Sequence, residues 1–181
     1  EDPNNPGSLG IAISEAIEAV VKSEGKAKYA LGSVLGHVLL HQTINGNEAI
    51  LQMEQAGDYP DIIVGCTGGG SNLAGLMFPF LGQQLRGGQK IDIIGCEPLS
   101  CPSFTKGKYA YDHGDMARMT PLIKMHTLGS DFLPPANHSG GLRYHGMSYH
   151  LSHLYDLGLM RAKAYGQKDC FEAGVIFGKQ E

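Results

Sequence analysis

The stretch DIIVGCTGGGSNLAG, residues 61–75, decides the fold. It opens with an apolar run that shows no polar alternation, the pattern of a parallel strand buried on both faces. Three glycines follow, then Ser71, Asn72 and a small-residue segment that starts a helix. Glycines behind a strand let the backbone take φ above zero and approach a ligand with no Cβ in the way. The helix beyond them aims its unpaired N–H groups, with their partial positive charge, into the turn. In an α/β sheet the natural occupant of such a turn is a phosphate at the carboxyl ends of the strands. Ser71 and Asn72 can each cap the helix or donate to the same phosphate. A turn that binds nothing would not require three successive glycines, each costly in conformational entropy.

Outward from this stretch, residues 72–86 read as a helix that Pro79 should kink. IDIIGCEP, residues 91–98, is a second continuous apolar run. Strand, glycine loop, helix and strand make a βαβ unit with a right-handed crossover. Upstream, residues 9–24 place Ile13, Ala16, Ile17, Val20 and Val21 on one stripe, with Ser8 as N-cap and Gly25 as the stop. The segment 29–34 reads as a short strand, and 43–57 as a helix whose first turn Gly46 weakens. Downstream, 98–144 reads as one long irregular stretch, far beyond ordinary connection lengths and so a functional loop region. A helix over 145–158, a strand over 159–165 and a last helix over 168–180 complete the pattern. The expected architecture is α/β: a three-layer open sheet, mostly parallel, with helices on both faces, forming a single unit over residues 1–181.

Composition narrows the partners. The formal charge is -4, the 14 basic residues are scattered, and no apolar run approaches the roughly 20 residues that span a bilayer. Neither nucleic acid nor a membrane is an expected partner. Cys66, Cys96, Cys101 and Cys170 form no CxxC pair, and two of them end apolar runs, so buried thiols and a reducing cytoplasm are expected. Eight histidines are present, but His150 with His153, His138 with His145, and His37 with His41 lack a third ligand at metal-binding spacing; no metal site is expected of them.

The phosphate ligand is then a matter of motif. A P-loop needs Lys after its last glycine, and none follows Gly70. A dinucleotide fold needs a third glycine where Leu73 stands, and an acidic residue nearer than Glu97. A dinucleotide domain and a non-catalytic phosphate- or nucleotide-binding module stay open as alternatives. The blocks GCTGGGSNLAGLMFPFL, GCEPLSCPSFTKGKYAYDHGD, TPLIKMHTLGSDFLPP and HSGGLRYHGMS, preceded by PGSLGIAISEAIE and YALGSVLGHVLLHQTINGNEA, resemble the tryptophan synthase β chain family, and more closely its second subfamily. The resemblance runs in order over nearly the whole chain.

That resemblance implies a fold type II enzyme using pyridoxal 5'-phosphate, which joins L-serine to indole by β-replacement with loss of water. It assigns the cofactor phosphate to Gly68, Gly69, Gly70, Ser71 and Asn72. It implies a monovalent cation on the carbonyls of Gly68, Tyr144 and Gly146, and a substrate-side role for Arg143, where the main β chains carry an acidic residue. A homo-oligomer and an α subunit are the implied protein partners. The family's covalent lysine, in an HKxN-type motif, and its glutamate, in an ETGAGQ-type segment, have no counterpart here. The chain is therefore expected to correspond to an internal piece of a longer enzyme and to be inactive alone.

Overall fold

The computed structural model describes residues 3–141 and 143–180. Ser8 accepts the Ile11 N–H at 3.2 Å and starts α1, Leu9–Lys22, which ends shortly before Gly25 at φ +86. The strand expected at 29–34 does not form. A short alternating segment becomes a strand only beside a partner edge, and this one instead leads into α2, Gly36–Ala56. That helix starts ahead of the expected 43 and carries Gly46 in its interior.

The reason for Gly46 lies in α3, Ser71–Leu85. A Cβ on Gly46 would sit 2.4 Å from the Leu76 carbonyl oxygen and 2.7 Å from that of Gly75. A Cβ on Gly75 would in turn sit 2.5 Å from the Gln42 carbonyl oxygen. The two helices thus cross backbone against backbone. Pro79, inside α3, offers no N–H to the Gly75 carbonyl, and it is at this turn that α2 makes its close approach.

The strands β1, Ile62–Cys66, and β2, Asp92–Pro98, run parallel to β5, Arg161–Tyr165, in the order β1-β2-β5. The parallel sheet and the strand–loop–helix–strand order agree with the sequence. Gly65 and Gly95 make room for Leu73 of α3, and Ile63 and Ile93 are buried on the same face with Met77, Phe80 and Leu151. The other face differs from expectation. Ile62 and Val64 remain 54% and 55% exposed, so burial in β1 alternates instead of being continuous. That side of β1 is left open, and α5, Gln167–Gln180, buries none of its residues.

Residues 98–144 are not one irregular stretch. They contain an antiparallel hairpin of β3, Lys108–His113, and β4, Leu122–Thr127. Two buried carboxylates shape its surroundings. Glu97, 2% exposed, accepts the N–H groups of Phe104 and Thr105, each at 2.8 Å, and the Thr105 hydroxyl at 2.6 Å. Asp115, 0% exposed, accepts the Ser14 hydroxyl at 2.8 Å, the Met119 N–H at 3.1 Å, and the Thr120 N–H and hydroxyl at 2.9 and 2.8 Å. Burial pushes the Asp115 carboxyl up, but the donors of Thr120, Met119 and Ser14 outweigh it and hold it below the ordinary carboxylate range. The short helix α4, Tyr149–Asp156, then packs against β4 and β5 follows. Among the described residues no helix is long and apolar enough to cross a membrane.

Two outcomes follow from these contacts. Gly75→Leu puts a side chain into the Gln42 backbone and should lower stability by about 3 kcal/mol or more in urea unfolding, whereas Gly82→Leu, where a Cβ meets only the Arg86 side chain, should cost far less. Asp115→Asn should cost about 1–3 kcal/mol at neutral pH. Because the folded carboxyl titrates below the unfolded one, the advantage of Asp115 over Asn is complete above the unfolded carboxylate range and shrinks as pH falls through the folded value. A pH-independent difference between the two proteins would show that the carboxylate charge is not what holds the turn.

Candidate functional site

The chain leaves β1 at Cys66 and reaches α3 through residues 67–70. Thr67, buried, donates its N–H at 2.8 Å and its hydroxyl at 3.1 Å to the Cys96 carbonyl, fastening the start of the turn to β2. Gly70, not Ser71, is the N-cap of α3; it sits at φ +102 and no side chain caps the helix. Gly69 is required by contact instead. A Cβ there would lie 2.5 Å from Val34 Cγ2 and 2.8 Å from Ser33 Oγ.

The third wall of the turn is the start of α4. A Cβ on Gly70 would lie 2.7 Å from Leu151 Cδ1, 2.9 Å from Met147 Sδ and 3.0 Å from Ser148 Oγ. The Ser148 N–H donates to the Gly69 carbonyl at 2.9 Å, and its hydroxyl oxygen, fully buried, has no hydrogen-bond partner. The helical hydrogen bonds of α3 begin with the Ala74 N–H on the Gly70 carbonyl at 2.9 Å. The N–H groups ahead of it are those a helix leaves without an internal partner. Ser71 is buried at the mouth of this turn, and Asn72, exposed, reaches back to donate to the Cys66 carbonyl at 3.3 Å. The result is a cradle of backbone donors edged by the hydroxyls of Ser33, Ser71 and Ser148. An orphaned buried hydroxyl beside an uncapped helix start suits an anionic oxygen.

The sequence pattern points to the glycines, Ser71 and Asn72, but not to Ser33, Val34 or Ser148. Val34 stands at φ +70 with the Leu35 N–H donating to the Ser33 carbonyl at 2.8 Å. A β-branched residue in this γ-turn is strained, and such strain collects at functional sites. The apolar alternation around it, which read as a strand, hid the turn.

The residues expected to join the cradle from the LRYHG segment divide into two groups. Gly146 pairs with Thr127 of β4, and the Met147 N–H donates to the His126 carbonyl at 2.9 Å, so residues 146–148 are strapped between the hairpin and the Gly69 carbonyl. Tyr144 is buried, and its hydroxyl donates to the Gly114 carbonyl at 2.6 Å. Arg143 donates through Nη2 to the carbonyls of Pro6 and Gly7 at 3.0 Å and of Pro134 at 3.3 Å.

Glu97 has both oxygens committed to Phe104 and Thr105. Its oxygens are engaged within the protein, and it already stands too far along the chain for the acidic residue of a dinucleotide fold. Cys66 and Cys170 are exposed and Cys96 half-buried, against the expectation of buried thiols; only Cys101 is buried. The uncovered face of β1 explains Cys66. His37 and His41 pack ring against ring at 6.4 Å on an exposed side of α2. Among the described residues no group of three His, Cys, Asp or Glu is placed to hold a metal ion.

No family model matches the chain. Individual relatives do. It is 55% identical over 181 residues to a tryptophan synthase beta chain 2 of Aeropyrum pernix, with all of this chain and 40% of that one covered. It is 56% identical to a tryptophan synthase beta chain 2 of Aquifex aeolicus and to another of Thermotoga maritima, again over all of this chain and 42% of each relative. In three dimensions it is similar to a threonine deaminase from T.th., with a TM-score of 0.60 at 15% identity over 87% of this chain and 49% of that one. Shared by that structure is the fold: α/β, with a mostly parallel sheet and helices. The chain is thus similar along its whole length to tryptophan synthase β chains, and it spans about two fifths of the length of the curated relatives it matches.

Proposed function

We propose that residues 68–72 hold the phosphate of pyridoxal 5'-phosphate, and that the chain is one part of a tryptophan synthase β-type lyase that replaces the L-serine hydroxyl with indole and releases water. The observation that carries this reading is the uncapped start of α3 facing the unpartnered Ser148 hydroxyl. The donor set fits a phosphate dianion: backbone N–H groups of Gly68 to Asn72, the helix N-terminus, and hydroxyls from three segments of the chain. When bound, pyridoxal phosphate supplies the electron sink that the replacement at the serine β-carbon needs.

The residues of the cradle divide the work in that setting. The Gly69 and Gly70 backbones offer their N–H groups to the anion while their missing Cβ atoms let Ser33, Val34, Met147, Ser148 and Leu151 pack against the loop, and the Ser33, Ser71 and Ser148 hydroxyls donate to it. Val34, Met147 and Leu151 line the back of the turn and exclude water, which strengthens those hydrogen bonds. Asn72 keeps the loop closed on β1. Arg143 keeps its proposed substrate-side role, and its Nη2 also ties the segments around residues 6–7 and 134 to the strap that carries residues 144–148. The carbonyls of Gly68, Tyr144 and Gly146 are the proposed ligands of a monovalent cation. The covalent lysine and the catalytic glutamate belong, in this reading, to the portion of the relatives that this chain does not span. That same portion, a second copy or an α subunit would cover the exposed apolar side chains of Val175, Ile176 and Phe177 on α5. The proposed setting is the cytoplasm.

Titration with pyridoxal 5'-phosphate and with inorganic phosphate tests the cradle. Both should bind the wild-type chain, Gly69→Val should weaken them at least about tenfold, and Ser148→Ala, which leaves the backbone unchanged, should weaken them severalfold. Unchanged affinity in Ser148→Ala would remove its hydroxyl from the site. Supplied with cofactor, serine and indole, the chain alone should make no tryptophan, and borohydride should leave no adduct at a single lysine. Tryptophan together with such an adduct would overturn the assignment of the lysine to another segment.

A further inference from the structure

On the uncovered side of the sheet, at the carboxyl ends of the strands, lies a cavity of about 510 Å³. Its walls include Cys66, Cys96 and Cys170 together with His138, Tyr165 and Phe171. Cys66 and Cys96 are register partners on adjacent parallel strands, so their side chains leave the same face of the sheet at the same level. Adjacent strands lie about 4.8 Å apart, within the roughly 4.4–6.8 Å between α-carbons that a disulfide bridges. The next residue in that row is Lys163 of β5, the register partner of Cys96. Burial, then the neighbouring Cys66 and Cys170, outweigh Lys163 and Arg161 and hold the Cys96 thiol above its ordinary range.

We propose that Cys66 and Cys96 form a reactive dithiol that is oxidised by low-molecular-weight disulfides, closing to a Cys66–Cys96 disulfide beneath the glycine cradle. Cys66, exposed to the cavity, makes the first attack. Its thiolate bonds to one sulfur of the small disulfide, whose S–S bond breaks; the displaced half leaves as a thiol carrying the proton that Cys66 gave up. The Cys96 thiolate then attacks the Cys66 sulfur and displaces the second small thiol, which takes the Cys96 proton. Two protein thiols are oxidised and one small disulfide is reduced to two thiols. Lys163, the register partner of Cys96, offsets only part of the burial that disfavours the Cys96 thiolate at the second step.

The placement links this chemistry to the loop. The Cys96 carbonyl holds the Thr67 N–H and hydroxyl, and the Cys66 carbonyl holds the Asn72 amide. A cross-link between these two residues stitches together the two points that anchor the start and end of the turn. The inference does not depend on what the cradle binds, because its readout is a covalent bond.

The test is to incubate the chain with oxidised glutathione, block the remaining thiols, digest and map the cysteines. A linkage joining the peptides of Cys66 and Cys96 should dominate, disappear with dithiothreitol and persist in Cys170→Ser. Cys96→Ser should instead keep a stable glutathione adduct on Cys66, since the resolving thiol is gone. The oxidised chain should also unfold at higher urea than the reduced one, and reduction should reverse the shift. Glutathione adducts that never resolve in the wild type, or a linkage made through Cys170, would overturn the proposal.

Discussion

The Ser148 N–H on the Gly69 carbonyl joins two segments far apart in the chain, and both can approach only because of what each lacks. Gly69 and Gly70 have no Cβ, so Ser33 and Val34 close on one side and Met147, Ser148 and Leu151 on the other, at distances that any larger residue would violate. The strap that delivers Ser148 is itself fixed to β4 through Gly146 and Met147. The hairpin is fixed to α1 through the Asp115 carboxylate and Ser14. The cradle is therefore the meeting point of the sheet, the hairpin and the first helices, and its donors are held in place by contacts that run across the whole chain.

A second constraint of the same kind operates between α2 and α3. Gly46 and Gly75 bring two helix backbones into direct contact, and that contact sets where the N-terminus of α3 points. In isolation Gly46 is a helix-weakening residue; in the fold its missing side chain is what allows the crossing. Glu97 shows a comparable change of meaning. As an acidic residue at a strand end it could have served a ribose, but the turn it commands uses both its oxygens.

The uncovered face of β1 and the bare surface of α5 give the relation to longer relatives a physical counterpart. A parallel strand that reads as apolar throughout expects cover on both sides, and here Ile62, Val64 and Cys66 have it on one. The same openness that leaves apolar surface for another segment to cover leaves the Cys66 and Cys96 thiols facing a cavity.

The sequence by itself determined the local order: a strand, a glycine turn and a helix at 61–75, a second parallel strand at 91–98, the helix with its Ser8 cap, and the elements after residue 148. Periodicity, capping and glycine chemistry act within a few residues, so they can be read in a line. The family resemblance was legible for the same reason, as ordered blocks of sequence. The hairpin in 98–144, the γ-turn at Val34 and the exposure of β1 were decided by tertiary structure. A strand needs a partner edge, a strained φ needs surrounding contacts to hold it, and burial needs a covering layer, none of which is local. The cradle shows both levels at once: its glycines were visible as residues, while Ser33 and Ser148 entered it only when packing brought three distant segments to the start of one helix.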